Sequence, residues 1–537
     1  MRSIPGKNIV PLFGVALLAA CFAITALKVL RHGRADVDSG RTVIRFAHWQ
    51  LESGLRDALD ALAREYEALH PDVRIEQHLV PRRTYVQWVK TRLIGGTATD
   101  LIQLGSEIDD ETLTRFFVPV SGLVERPNPY NKGTDLAGVP WRDTFVDGLM
   151  GNLSYRPNLL EYYGIPMSMF TVRMYYNRDL WRRLFGDAPP PATYEDFLRV
   201  CQRVREEAAR SGRALIPIAG SRDNAPIFIN RLVSSQTQRL TQSIDLGRIL
   251  RPSSVDIGLG YLRRDWGAAS PAFLDGLAIA REVGLSMQPG YEQLRHDDAT
   301  FYFSQGRALM ITSGSWDLPV FRSMVDFELG VFDVPLPDAA HSRYGRNLLG
   351  SPSEAGGGGG MAFGITRQSA DVDRAADFLQ FLTSRSGNAT FSRLGGWLPS
   401  VVEVEPPDAV KPFLPRLEGY PPGFDLTLRS LGASSNYLIQ AYHSVLVQPT
   451  GSVEKFLGEV EPKLESAIRE DLGRVQRNLR NNVSRQDVTF TGLLAMRRRM
   501  PDDDRRAARI SGLTEVQNQQ EAQLAWITHE LARTAGE

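Results

Sequence analysis

Between Thr42 and Gly105 the apolar pattern alternates between strand and helix periods, which limits the fold more than anything else in this chain. Thr42-Val-Ile-Arg-Phe-Ala-His-Trp49 has β-branched content and alternation and predicts a strand. Leu55, Leu59, Leu62, Tyr66 and Leu69 then recur at helical spacing, and Pro71 ends that run. A second strand follows at Val73–Val80, a short helix at Tyr85–Leu93 and a third strand at Asp100–Gly105. This βαβαβ order favours a parallel sheet, with ligand loops at the carboxyl ends of its strands. Those ends carry His48-Trp49-Gln50, Ser53 and Gly105-Ser106-Glu107. Trp49 reads either as a ligand face or as a packed lid aromatic.

At 537 residues the chain is too long for one hydrophobic core, so two or three domains are expected. Its 62 basic and 62 acidic residues balance, which leaves no electrostatic case for nucleic acid as a partner. Two cysteines, Cys21 and Cys201, cannot form a disulfide framework. The histidines fit no metal-binding spacing, so neither metal nor other cofactor is expected.

Further along, Thr193 reads as an N-cap with Asp196 three residues on, ahead of a stripe of Phe197, Val200, Cys201 and Val204. Cys201 on that stripe is a packed thiol rather than a nucleophile. Ala214–Ala219 is a buried strand, and Gly220-Ser-Arg-Asp-Asn224 is its loop. Ser270-Pro271 opens a helix running to about Val283. Residues 303–316 read as a helix end, a turn at Gly306, a buried strand at Ala308–Thr312 and a Gly314-Ser315-Trp316 loop. Such a loop offers an indole face and backbone N–H groups. The run Gly356–Gly360 lacks the Lys and hydroxyl of a phosphate-binding loop. Gly395-Gly-Trp-Leu-Pro-Ser400 adds Trp397, either a ligand face or a packing residue.

Four ordered blocks together resemble the bacterial extracellular solute-binding proteins (family 1) that serve carbohydrate ABC transporters. Phe303–Trp316 is similar to their F-x-x-G-K-A-A-M-x-x-x-G-S-W block. Tyr163–Asn177 looks like their Y-G-I-P to Y-Y-N crossover, and Pro190-Pro-Ala-Thr-Tyr-Glu-Asp-Phe197 like P-P-x-T-W-x-E-F. The tract from Ala375 to Ser400 resembles the family's closing pattern. The resemblance covers roughly residues 42–475 and implies a two-lobed, type II-like periplasmic-binding-protein α/β fold with a ligand cleft between lobes. It implies lobe 1 at about 42–165 with returning segments from about 327–366, and lobe 2 at about 178–326 with parts of 367–475. Phe327–Pro335 resembles the strand that returns to the first lobe.

The resemblance also implies a sugar or oligosaccharide ligand held by hinge closure and delivered to permease subunits. Sugars need aromatic planes for their C–H faces and fixed partners for their hydroxyls. Trp49, Tyr85, Trp316 and Trp397 are the expected faces; Ser53, Ser106, Glu107, Arg222, Asn224 and Ser315 are the expected polar partners. Competing readings are a sensor's ligand-binding protein, a non-sugar ligand, and a glycosidase. A phosphorylated ligand would draw on Arg173 and Arg222. A glycosidase needs two flanking carboxylates. The cluster Glu107, Asp109, Asp110 and Glu111 reads better as helix capping.

Residues 1–31 form a membrane anchor or signal segment, with Ile9–Leu27 apolar or small and uncharged, and 32–41 read as a tether. An uncleaved anchor is favoured, which leaves the protein, expected to be a monomer, membrane-tethered on the periplasmic or extracellular face. Lipidation at Cys21 and ordinary cleavage compete with it. Residues 476–537 depart from the family pattern as a helical extension. Its charges read as a solvated face before a membrane or partner patch.

Overall fold

The structure, a computed structural model, describes residues 40–534 except 52, 106, 157–158, 247, 249–251, 356–357, 426–430 and 501–503. The segment 1–31 with Cys21, and most of the tether, lie outside the described residues. Among the described residues no helix is long and apolar enough to cross a membrane.

In chain order, β1 (Thr42–His48), α1 (Ser53–Leu69), β2 (Val73–Leu79), α2 (Arg82–Ile94), β3 (Leu101–Gln103) and α3 (Asp110–Phe116) realise the expected alternation. Next come β4 (Ile165–Met169), β5 (Val172–Asn177), α4 (Arg178–Phe185), α5 (Tyr194–Ser211), β6 (Ile216–Ala219) and α6 (Asn224–Gln236). They are followed by α7 (Ser254–Leu262), α8 (Pro271–Gly284), α9 (His296–Ser304), β7 (Ala308–Gly314) and β8 (Leu329–Phe332). The chain ends with β9 (Gly359–Ile365), α10 (Val372–Leu382), α11 (Arg385–Gly395), β10 (Leu398–Pro399), α12 (Ala433–Val447), α13 (Val453–Arg499) and α14 (Asp504–Arg533).

The chain divides into two compact units. The first holds residues up to Trp141 together with Tyr163–Met167 and Met361–Gly395. Its strands run β2-β1-β3-β9-β4. β1 is parallel to β2 and β3, as a βαβαβ order requires, and β9 lies antiparallel to β3. On α1 the side chains of Leu55, Ala58, Leu59, Leu62 and Tyr66 are buried. Each large one contributes about 1.5–3 kcal/mol by leaving water. Helix α10 belongs here because Phe378 packs on Tyr66 at 4.9 Å, whose hydroxyl donates to Asp377 at 2.6 Å.

The second unit holds Arg142–Tyr162, Ser168–Gly360 and Gly396–Glu537. Its sheet runs β8-β5-β7-β6, with β6 parallel to β7 and the other pairs antiparallel. The short β10 pairs with the end of β4 through Leu398 and Met169. Thr193 caps α5 by accepting from the Asp196 N–H at 3.1 Å, and Phe197, Val200, Cys201 and Val204 are buried beneath it. Burial pushes the Cys201 thiol up to about 12, so it stays protonated and packed. Within 225–268, a tract less readable in sequence than its neighbours, α6 and α7 are helices whose Phe228, Ile229, Leu232 and Leu259 join the same core.

This division departs from the expected one in three places. The strand at Leu329–Phe332 does not return to the first unit; it pairs with β5, Gly330 opposite Tyr176. The return comes at Met361 instead. Residues 142–162 belong to the second unit, where the Val146 N–H bonds the Ser400 carbonyl at 2.9 Å. The tract 367–475, of which parts were expected in the second lobe, divides at Gly395, with the rest in the second unit. The extension does not begin at 476, since α13 is continuous from Val453. Its early turns bury Phe456, Val460, Leu464, Ile468 and Leu472 in the core of the second unit. Asp471 then caps α12, accepting from the Ser434 and Ser435 N–H groups at 2.8 and 2.9 Å.

Candidate ligand-binding faces

In the first unit, Trp49 leaves the carboxyl end of β1 half-buried. Its backbone N–H donates to the Gln103 side-chain oxygen at 3.2 Å, tying the ends of β1 and β3. His48 braces this loop. Its Nδ1 accepts from the Gln50 N–H at 3.2 Å, which places the proton on Nε2, 2.8 Å from the Gln77 side-chain oxygen. Burial lowers the His48 imidazole to about 4 against the opposing pull of Gln77, so it is neutral here. Tyr85 is fully buried, its hydroxyl 3.0 and 2.9 Å from the carbonyls of Ala47 and Gln103. Its ring meets Trp49 edge-on at 4.9 Å. Tyr85 therefore supports the indole rather than offering an open face. Arg82 stacks over Trp49 at 4.3 Å and bonds Glu107 at 3.1 Å, so Glu107, Arg82 and Trp49 form one chain of contacts. Sequence reading missed Arg82, although it stands one helical turn before Tyr85.

Asp109 is the N-cap of α3, accepting from the Thr112 N–H at 2.8 Å, and Asp110 and Glu111 occupy the first turn. The acidic cluster thus offsets the helix N-terminus. Ser53 opens α1, and its side chain lies outside the described residues, as does Ser106.

In the second unit, Trp316 occupies a single turn after the carboxyl end of β7 and is half-buried. Its ring lies on Gly314, where any side chain would collide with it. Phe170, at the break between β4 and β5, meets Trp316 edge-on at 5.3 Å and Trp397 at 5.0 Å. The Phe170 ring lies in the same way on Gly360, the last residue of the five-glycine run. Trp397 is buried, so it underlies Phe170, and the surface-facing aromatics are Trp316 and Phe170. Phe170 sat inside the Tyr163–Asn177 block, but nothing in its neighbours' pattern distinguished it from a strand residue.

Polar groups around this platform divide into held and available. Asn224 is buried; its amide donates to the carbonyls of Ala219 and Thr312 at 3.0 and 3.2 Å and its oxygen accepts from Ser221. It fastens the ends of β6 and β7. Ser315 is buried, its N–H on the Thr171 carbonyl at 2.9 Å. Arg222 is exposed. Asp317 accepts from Ser313 and pairs with His296 at 3.0 Å, which raises the His296 imidazole above its ordinary value despite partial burial. Arg173 is fully committed. It is buried and forks onto Glu354 at 2.8 and 3.0 Å, where Arg231 also bonds. Burial alone would raise the Glu354 carboxyl, but the two guanidinium groups outweigh it and hold it at about 2.

Residues 52–389 match the bacterial extracellular solute-binding protein family. The chain belongs to that family. Among curated relatives of this solute-binding protein, it is 19% identical over 336 residues to a multiple sugar-binding protein of Streptococcus mutans, spanning 61% of this chain and 68% of the relative. It is 20% identical over 376 residues to a binding protein of Brucella abortus, spanning 68% and 77%. Among solved structures, a cyclo/maltodextrin-binding protein complexed with maltotetraose aligns with a TM-score of 0.56 at 16% identity, covering 80% of this chain and 97% of that one. The GacH receptor of Streptomyces glaucescens aligns at 0.55 and 14% identity, covering 80% and 99%. These likenesses establish the two-lobe α/β fold of the maltose-binding type.

Proposed function

We propose that this solute-binding protein is the extracytoplasmic substrate-binding component of an ABC importer and that its ligand is a sugar or oligosaccharide. The observation that carries the reading is the Trp316–Phe170 platform at the carboxyl end of β7, with Asp317 in the same turn, His296 at the start of α9 and Arg222 in the loop after β6. Apolar ring faces beside hydrogen-bonding groups suit the two surfaces of a pyranose. Trp49 with Arg82 and Glu107 offers a second face of the same kind. The sugar-binding relative supports the ligand class. Ser53, Ser106, Asn224 and Ser315 remain proposed contacts; Asn224 and Ser315 would act through the loops they hold.

A phosphorylated ligand is disfavoured because Arg173 is neutralised by Glu354, leaving Arg222 of the expected pair. Binding proceeds without turnover, by hinge closure, and the closed form is handed to permease subunits. The segment Ile9–Leu27 would tether the protein at the membrane.

Tryptophan fluorescence tests this assignment. Titration of the full chain with mono-, di- and oligosaccharides should give a saturable change with one sugar class, reduced in amplitude in Trp316→Phe. A change with sugar phosphates or peptides alone would overturn the carbohydrate assignment.

A further inference from the structure

Helix α13 runs for 47 residues, about 70 Å, yet its buried side chains end at Leu479. The following 20 residues, about 30 Å of helix beside α14, bury no side chain, and among the described residues Ile510 is the buried one on the facing turns. The family match ends at residue 389, well before this hairpin. From Arg474 to Arg499 the helix carries seven arginines and one acidic residue, Asp487. Arg497, Arg498 and Arg499 are exposed, and among the described residues none of them makes an ion pair. Beside them Leu494, Met496 and Met500 are 41–53% exposed. In the sequence that follows, six arginines between 497 and 509 outnumber the three acids Asp502, Asp503 and Asp504.

We propose that this distal end of the hairpin seats on an anionic lipid bilayer surface. A bilayer interface accepts apolar side chains below the headgroups and arginines among them at once. A solvated arm would have no use for three large apolar groups at its tip. The inference rests on the reading of the protein as membrane-tethered. The apolar segment Ile9–Leu27 points the same way, because a tether would keep the hairpin at that surface.

The test uses trypsin, which cuts after arginine, on the full chain with vesicles of pure phosphatidylcholine or with about 30% phosphatidylglycerol. Such a surface attracts each nearby Arg, and the attraction fades at about 1 M salt. Cleavage at Arg497–Arg499, followed by mass spectrometry, should slow at least about tenfold on the anionic vesicles, with the rate recovering at about 1 M salt. The M496S/M500S variant keeps every cleavage site and should lose most of the protection. Equal cleavage on both vesicles would overturn the proposal. So would protection that rises with protein concentration in the absence of lipid, which would mark a second copy of the chain as the occupant. Sugar binding is read separately by fluorescence, so failure here leaves that reading standing or falling on its own result.

Discussion

Trp316 rests on Gly314 and faces Phe170, so its replacement by Ala removes a stacking plane without disturbing the buried strand beneath. Sugar affinity should fall about 10- to 100-fold, or about 1.4–2.8 kcal/mol, in a calorimetric titration. Unchanged affinity would remove Trp316 from the site. Glu354 presents the opposite case, since its charge is buried between two arginines. Glu354→Gln strands Arg173 in a dry environment and should lower stability by about 3 kcal/mol in denaturant unfolding. At this scale the site was only partly legible. Trp316 stood out because its block resembles the family's G-S-W segment; on its own the loop reads only as an aromatic at the mouth of an α/β unit. Tyr85 and Asn224 carry the right chemical groups, but burial directs those groups into the protein's own carbonyls. Phe170 and Arg82 went unseen because their roles depend on which rings lie across from them, and that is a property of three-dimensional packing.

At the level of elements, the order and type of the first βαβαβ tract could be read, because period and breakers agree there, as in Pro71 after α1; the bounds differ most at α2, which starts at Arg82, and at β3, which is only Leu101–Gln103. The helices between 224 and 262 were harder to read because much of each is buried and the exposed positions include the apolar Ile227, so the polar face that sets a helical period is narrow. The strand β8 was assigned to the wrong unit because an isolated apolar run does not name its partner. Helix α13 passes through two environments, and the boundary read at about residue 476 falls near the last buried side chain, Leu479, rather than at a helix end. Its first turns are core, so Ile468→Ala should cost about 2–5 kcal/mol by thermal unfolding. Its distal half is not, so replacing residues 482–519 with a short turn should leave the melting temperature within a few degrees. A large loss would show that the hairpin tip stabilises the body.

For the whole molecule, acid stability follows from three groups, one buried (His48) and two partly buried (His443 and Glu354). Burial lowers His48 and His443 to about 4, so the unfolded chain binds their protons first. Their contribution is complete above about 6.5 and is lost as pH falls towards 4. Glu354, held at about 2, adds stability that is complete above its unfolded value and is lost as pH falls from about 4.5 to 2. His296 acts in the other direction: its raised value stabilises at low pH and fades as pH rises through it. Melting temperature should therefore decline progressively below about pH 6.5, and His48→Gln should flatten the upper part of that decline. The central claim, carbohydrate binding by this solute-binding protein, is tested most directly by thermal unfolding of the full chain against a panel of sugars, sugar phosphates and peptides. A sugar at about 100 times its Kd should add about 2.7 kcal/mol to the folded state and raise the melting temperature by several degrees, with the sugar recovered unchanged. A shift with a phosphate or peptide and with no sugar would contradict the account.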